Sequence, residues 1–182
     1  KSNHDFHISL LKKSASSAES DYTYLAKEYF NSCRFEEAIS WGKKAISIHS
    51  YPHEIYNLWM MVGLSYSFLE KAEEAKKSWI SAIPVAPYRK EAYYYLAEIH
   101  GKEGGDANIK KGFGYITACT AQVDRKEPLQ NNLIYTTTCF KLHARYLQKF
   151  NLYKDALEVL EKTIVRDEEC ETIKKELEDA CS

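Results

Sequence analysis

Six histidines, five cysteines and seven glycines are the residues from which this chain could build chemistry. Cys139 and His143 stand four apart, which places a thiol and an imidazole on one helix face, the arrangement of a nucleophile and its base. No oxyanion donor or orienting group stands near them, so the pair reads as one apolar face of a packed helix. His49 and His53 are also four apart, but Pro52 lies between them, and they read as solvent-facing residues of a connector. His4 and His7 sit close to the N-terminus and read the same way. His100 falls where Tyr29 and Tyr66 stand in the preceding repeats, which predicts a packed aromatic substitute. Lys111, Gly112 and Gly114 are a weak echo of a phosphate cradle, placed inside a helical stripe; neither G-x-x-x-x-G-K-[ST] nor G-x-G-x-x-G occurs, and H-E-x-x-H is absent too. Cys33, Cys119, Cys139, Cys170 and Cys181 are odd in number and include no C-x-x-C, which argues against a disulfide framework or a zinc knuckle. Reduced, packed thiols in a cytoplasmic setting are expected. The acidic runs at Glu36 and Glu37, Glu73 and Glu74, and Asp167 to Glu169 suit helix N-termini and surfaces. No catalytic residue, metal or cofactor is expected.

The bulk composition bounds the fold class and the partners. Lys and Arg total 25 against 26 Asp and Glu in 182 residues, a net charge of −1, so no whole-chain field draws nucleic acid or anionic lipid. Hydrophobic residues make up 45%, enough for a core. Seven Gly and four Pro are few for an all-β chain with many tight turns. The longest uncharged stretch, 55–69, has 15 residues, whereas a spanning helix needs roughly 20. Residues 1–20 lack the apolar core of a signal peptide. The chain begins at Lys1 and not at Met, which suggests a piece of a longer protein.

The elements that must position any site are helices. Tyr22, Leu25, Ala26 and Tyr29, then Phe35, Ala38, Ile39, Gly42, Ala45 and Ile46, recur three and four apart on either side of a turn at 32–34. The next pair carries Trp59, Val62, Gly63, Tyr66, Ala75, Trp79, Ala82 and Pro87. That spacing resembles the tetratricopeptide repeat (TPR), in which large and small residues interlock between two antiparallel helices. Ala38 and Ala75 are 37 apart, near the ~34-residue period of such repeats. Gly112 and Gly114 weaken the second helix of the third pair by about 1 kcal/mol each relative to Ala, which predicts irregular geometry there. In the fourth pair Phe140, Ala144 and Leu147 face a helix headed by Ala156, with Leu160 and Ile164 continuing its stripe. The expected architecture is an all-α, right-handed α-α superhelix, a TPR-like solenoid of about four helix pairs. The pairs are expected at 21–49, 54–85, 88–122 and 131–166, with a polar linker at 124–128. A capping helix and connector at 1–20 and a polar capping helix at 169–182 close the ends.

A closer resemblance lies in four segments. APYRKEAYYYLAEIH (86–100), DYTYLAKEYFNSCRFEEAISW (21–41), the preceding HISLLKK (7–13) and the late 131–157 segment are similar to the repeat region that follows the catalytic domain of bacterial family-2 glycosyltransferases. The resemblance implies a helical scaffold that presents a polypeptide acceptor or mediates dimerisation. The catalytic part of that family uses a D-x-D motif, and none occurs in this chain. In chaperone-adaptor TPR domains a carboxylate clamp needs several cations; the matching positions here hold Thr23, Lys27, Met61, Glu91 and Tyr95, and Glu91 would repel an acidic tail.

In such a superhelix the first helix of each pair lines a groove. Its groove-facing positions are Thr23, Lys27 and Phe30; Met60, Leu64 and Phe68; Tyr94 and Glu98; and Lys141, Arg145 and Gln148. The surface is apolar in the middle and cationic towards both ends, which suits a peptide with an apolar centre and acidic flanks. The alternative is that Met60, Leu64 and Phe68 pack against the neighbouring repeat. The expected function is a non-catalytic protein- or peptide-binding or self-association scaffold. A homodimer and an acceptor-presenting accessory domain are the alternatives, and neither nucleic acid nor membrane is an expected partner.

Overall fold

A computed structural model describes residues 3–14, 19–122, 131, 133–164 and 166–181, and shows helices and turns with no strand among them. The chain divides into two compact units, Lys1–Pro87 and Tyr88–Ser182. No described helix is long and apolar enough to cross a membrane.

The first unit comprises α1 (Asn3–Ser14), α2 (Glu19–Asn31), α3 (Phe35–Ile48), α4 (Pro52–Phe68) and α5 (Ala72–Ala82). Each helix packs on the next in sequence, and α2 also touches α4. Leu25, Ala26, Tyr29, Ala38, Ala45, Val62, Ala75 and Ala82 are fully buried, so the stripes read from the spacing are the faces that meet. Proline is well placed at the start of α4, where its missing N–H breaks no helical bond. The small residue at Gly63 is required by contact: a Cβ there would overlap the Trp79 indole.

The second unit comprises α6 (Lys90–Glu103), α7 (Asp106–Ala121), a π-helical stretch (Ile134–Thr138) that runs into α8 (Cys139–Lys149), α9 (Tyr153–Glu161) and α10 (Glu168–Cys181). One cluster joins Ala97, Ile116, Cys119, Ile134, Tyr135, Cys139 and Tyr146. A second joins Ala144, Leu147, Ala156 and Leu160 to Cys170, Ile173 and Leu177 of α10.

The repeat is visible in the turns. In α2–α3, α4–α5 and α8–α9 the turn holds one residue in the left-handed region: Cys33 (φ 58°), Glu70 (φ 58°) and Asn151 (φ 59°). In each, the next N–H closes on a carbonyl five residues back: Arg34 to Tyr29 (2.9 Å), Lys71 to Tyr66 (2.9 Å) and Leu152 to Leu147 (3.0 Å). This is the Schellman ending, which satisfies carbonyls that the helix leaves open. The α6–α7 turn departs from it, using Gly104 (φ 69°) and Gly105 (φ 75°).

Two local expectations are corrected. The irregularity predicted at Gly112 and Gly114 is absent: α7 is continuous from Asp106 to Ala121. Gly112 is small because the Tyr146 hydroxyl seats against it, and a Cβ would overlap that oxygen. The irregular geometry lies in Ile134–Thr138, where the Thr136 carbonyl accepts the Ile164 N–H (2.9 Å). Ile164 does not continue the stripe of Ala156 and Leu160: α9 ends at Glu161, and Ile164 is 74% exposed. The linker expected at 124–128 and most of the connector before α2 lie outside the described residues.

Candidate functional site

In the first unit, the groove positions separate into buried and accessible sets. Thr23 and Met60 are buried, so they belong to the core and not to an open surface. Lys27 is half-buried and bonds Glu54 across to α4 (3.4 Å). Leu64 is half-buried. Phe68 is 60% exposed at the end of α4. Its ring stacks on Phe35 (centroids 4.8 Å, planes 16° apart), and Phe30 meets both rings at 5.9 and 6.2 Å. Two helix pairs thus present one aromatic cluster with an open face. Contacts of this kind add to simple burial because the ring edges are positive and the faces negative.

Beside it, α1 and α2 enclose an open cleft of about 480 Å³, lined by His7, Leu10, Tyr24, Lys27, Glu28 and Asn31. Tyr24 and Leu10 are exposed and supply its apolar wall. Polar groups line the rest, with His7 Nδ1 3.5 Å from Glu28 Oε1. Of these six, only Lys27 was anticipated. The α2 spacing of Tyr24, Lys27 and Asn31 could have shown the face, but the contribution of α1 needs the docking of two helices.

In the second unit Tyr94 packs against the first cluster, and burial pushes its phenol up to about 12. Glu98 pairs with Lys102 (3.2 Å). Lys141 is buried, and its ammonium bonds Asp167 (2.9 Å) and Glu169. Burial works against the Lys141 charge, but the two carboxylates outweigh it and hold its pKa above the usual value. Arg145 pairs with Glu176, which Gln148 also reaches (3.4 Å). The α8 positions expected to offer free positive charge are therefore met by acidic residues of α10 and the turn before it.

The other chemistry-bearing residues resolve into structure. His53 contacts Asn57 (3.1 Å). His100 is buried, stacks on Tyr115 (5.8 Å, 6°) and meets Asn108 (3.1 Å). His143 lies beside Thr120 (2.9 Å) and the Phe113 ring, and burial lowers its pKa to about 4, helped by the charge of Lys162. Among the described residues no three His, Cys, Asp or Glu side chains converge on a point that would hold a metal. Sequence reasoning missed a buried charged run at the start of α6. Arg89 and Glu91 are buried and bond each other (2.7 Å), and Glu91 also receives Tyr135 Oη (3.3 Å) and the Asn131 N–H (3.2 Å). The R-x-E of the 86–100 segment is thus an internal strut.

No protein-family model matches the chain, and no curated protein sequence matches it. Solved structures do. The crystal structure of MamA superposes with a TM-score of 0.68 at 13% identity, covering 97% of this chain and 92% of that one. Pseudomonas aeruginosa pilF gives 0.67 at 17% identity, over 90% and 69%. YrrB, described as a TPR protein with an unusual peptide-binding site, gives 0.61 at 18% identity, over 98% and 81%. The glycosyltransferase resemblance finds no support among these matches. At such identities the likeness bears on architecture alone, and the architecture is an all-α, TPR-like helical solenoid.

Proposed function

We propose that this chain is a non-catalytic scaffold that binds a protein or peptide through the first unit. One observation carries the reading: the open aromatic face of Phe30, Phe35 and Phe68 beside an open cleft with Tyr24 and Leu10 on its wall. Exposed apolar surface grouped in this way marks interaction sites on soluble proteins. An apolar centre of the ligand would rest on Leu64 and Phe68, and an acidic residue would compete with Glu54 for Lys27. Tyr94, Glu98, Lys141, Arg145 and Gln148 would form the corresponding surface of the second unit, where an acidic flank must compete with the carboxylates of Asp167, Glu169 and Glu176. The peptide-binding description of YrrB favours this class of partner. Presenting an acceptor polypeptide to a glycosyltransferase domain, or pairing with a second copy, would be special uses of the same surface. Cysteines that are all free suit a reducing, cytoplasmic compartment.

The test is selection of binders from a displayed peptide library, followed by Leu64→Glu with Phe68→Glu. The expected result is enrichment of peptides with an apolar centre, and at least ~100-fold weaker binding by the double variant with an unchanged helical circular dichroism spectrum. Selected peptides that bind the double variant undiminished would overturn the assignment.

A further inference from the structure

The first helices of the pairs differ at the residues two before and two after the small residue of the buried stripe. On α4 these are Met61 and Ser65, around Gly63; on α8 they are Leu142 and Tyr146, around Ala144. Met61, Ser65 and Tyr146 are buried, and Leu142 packs against a core cluster. In each unit the first helix of the preceding pair helps to cover them. Met61 shares a cluster with Ala26 of α2, and the Tyr146 hydroxyl donates to the Ala97 carbonyl of α6 (2.6 Å). On α2 the same two places, around Ala26, hold Tyr24 and Glu28. There they stand open: Tyr24 is 57% exposed, and both residues line the cleft of about 480 Å³ between α1 and α2.

We infer that this cleft is the seat of an amphipathic α-helix from a partner protein, which lies on α2 as α2 lies on α4 and α6 on α8. The inference rests on the reading of the first unit as a protein-binding scaffold, and it names the form of the partner at one end of that unit. The two filled seams show what must face the cleft. In both, the covering helix brings an alanine, Ala26 or Ala97, to the side chains beneath it. On α2 that alanine is flanked four residues away on either side by Tyr22 and Phe30, which pack on the same cluster. A partner helix with a small residue over Tyr24, and apolar residues one turn away on either side, would cover the apolar wall of Tyr24 and Leu10 in the same manner. The charges select its polar residues. Glu28 already faces His7 (3.5 Å), whereas the Lys27 ammonium has three donors and gives one to Glu54 (3.4 Å). An Asp or Glu beside the small residue therefore complements the cleft. The last helix of a second copy does not fit: Glu171, Lys175 and Glu178 of α10 are exposed and charged, and its apolar Cys170, Ile173 and Leu177 are buried within their own unit.

The probe is a displayed library of two-helix hairpins, randomised along one helix face and selected against the full chain. The expected result is enrichment of Ala, Gly or Ser with apolar residues four places before and after it and an acidic residue beside it. In fluorescence anisotropy, Tyr24→Glu should weaken the selected hairpins at least ~10-fold, and so should a proline at the centre of their binding helix. Lys27→Met and replacement of the hairpin's acid by its amide should be non-additive in a double-mutant cycle. Tyr24 and Lys27 are accessible, so both variants should keep the helical circular dichroism spectrum. Binding that ignores Tyr24→Glu, or that survives the central proline, overturns the helix seat. If that binding is instead lost in Leu64→Glu with Phe68→Glu, the broader reading stands and the partner lies on the aromatic face. Independent effects of the two charge changes overturn the pairing with Lys27. A library that yields no binder overturns both readings. A dimer in sedimentation equilibrium that Tyr24→Glu dissociates overturns the choice of occupant, because a second copy then covers the cleft.

Discussion

Tyr146 is held tightly in the second unit. Its hydroxyl donates to the Ala97 carbonyl (2.6 Å) and sits where a Cβ on Gly101 or Gly112 would be. Burial pushes its phenol up to about 12. Gly112→Ala should therefore cost about 1–3 kcal/mol by overpacking, even though alanine is the better helix former. Adding Tyr146→Phe should recover part of that loss, so urea denaturation of the four chains of a double-mutant cycle should show non-additivity. Gly114→Ala, with open space around its Cβ, should stabilise by up to about 1 kcal/mol. The sequence displays both glycines as the same local weakness. Only the fold separates them, because the partner of Gly112 lies on another helix. The same limit hid the surroundings of Cys139: it was legible with its helix neighbour His143, and it is buried in one cluster with Cys119 of α7. Buried alanines were easier to read. Ala38, Ala75 and Ala156 follow from helical spacing and are all fully buried.

The terminal helix shows how an element is fixed. Ile173 and Leu177 give α10 its apolar side, and Asp167 accepts the Cys170 N–H (3.0 Å) at its start. Asp167 also bonds the Lys141 ammonium; these contacts, the Lys141 bond first, lower its pKa to about 2. A carboxylate depressed in the folded state contributes stability that is complete above its unfolded pKa, near 4, and lost as the pH falls through about 2. The melting temperature of wild type minus that of Asp167→Asn should hence be positive and constant above about pH 5, and shrink towards zero only as the pH falls below about 2. A difference that stays undiminished between pH 5 and pH 2 would mean the ion pair is not its source. Amphipathic stripes and polar end helices are legible without coordinates because they depend on neighbours three and four apart. The π-helical stretch and the end of α9 are not, because a backbone bond from Ile164 to Thr136 links segments far apart in sequence.

With a net charge of −1, the whole chain has little self-repulsion near neutrality, so specific buried groups govern its stability there. His143 is one of them. Its folded pKa is about 4, against 6.5 unperturbed. Between these values the unfolded state binds the extra proton, so stability is full above about 6.5 and falls as the pH drops towards 4. The shift corresponds to a loss on the order of 3 kcal/mol. Urea midpoints measured from pH 7.5 to 4 should fall accordingly, and the fall should flatten in His143→Gln. An unaltered slope in the variant would place the titrating group elsewhere. At this level the fold class was readable from a 34–37-residue rhythm of large and small residues, whereas the division at Pro87 was not.

The glycine notch that receives Tyr146 bears on how such a chain can be rearranged. Both of its walls belong to α6 and α7, and the key that fills it is carried by α8. Helix pairs of this architecture are usually treated as interchangeable bricks, but this joint is keyed. A generic repeat grafted in place of α8 and α9 would leave the slot empty, and α8 moved next to an ordinary pair would drive its hydroxyl into a side chain. Tandem duplication or shuffling of modules is thereby discouraged at this seam.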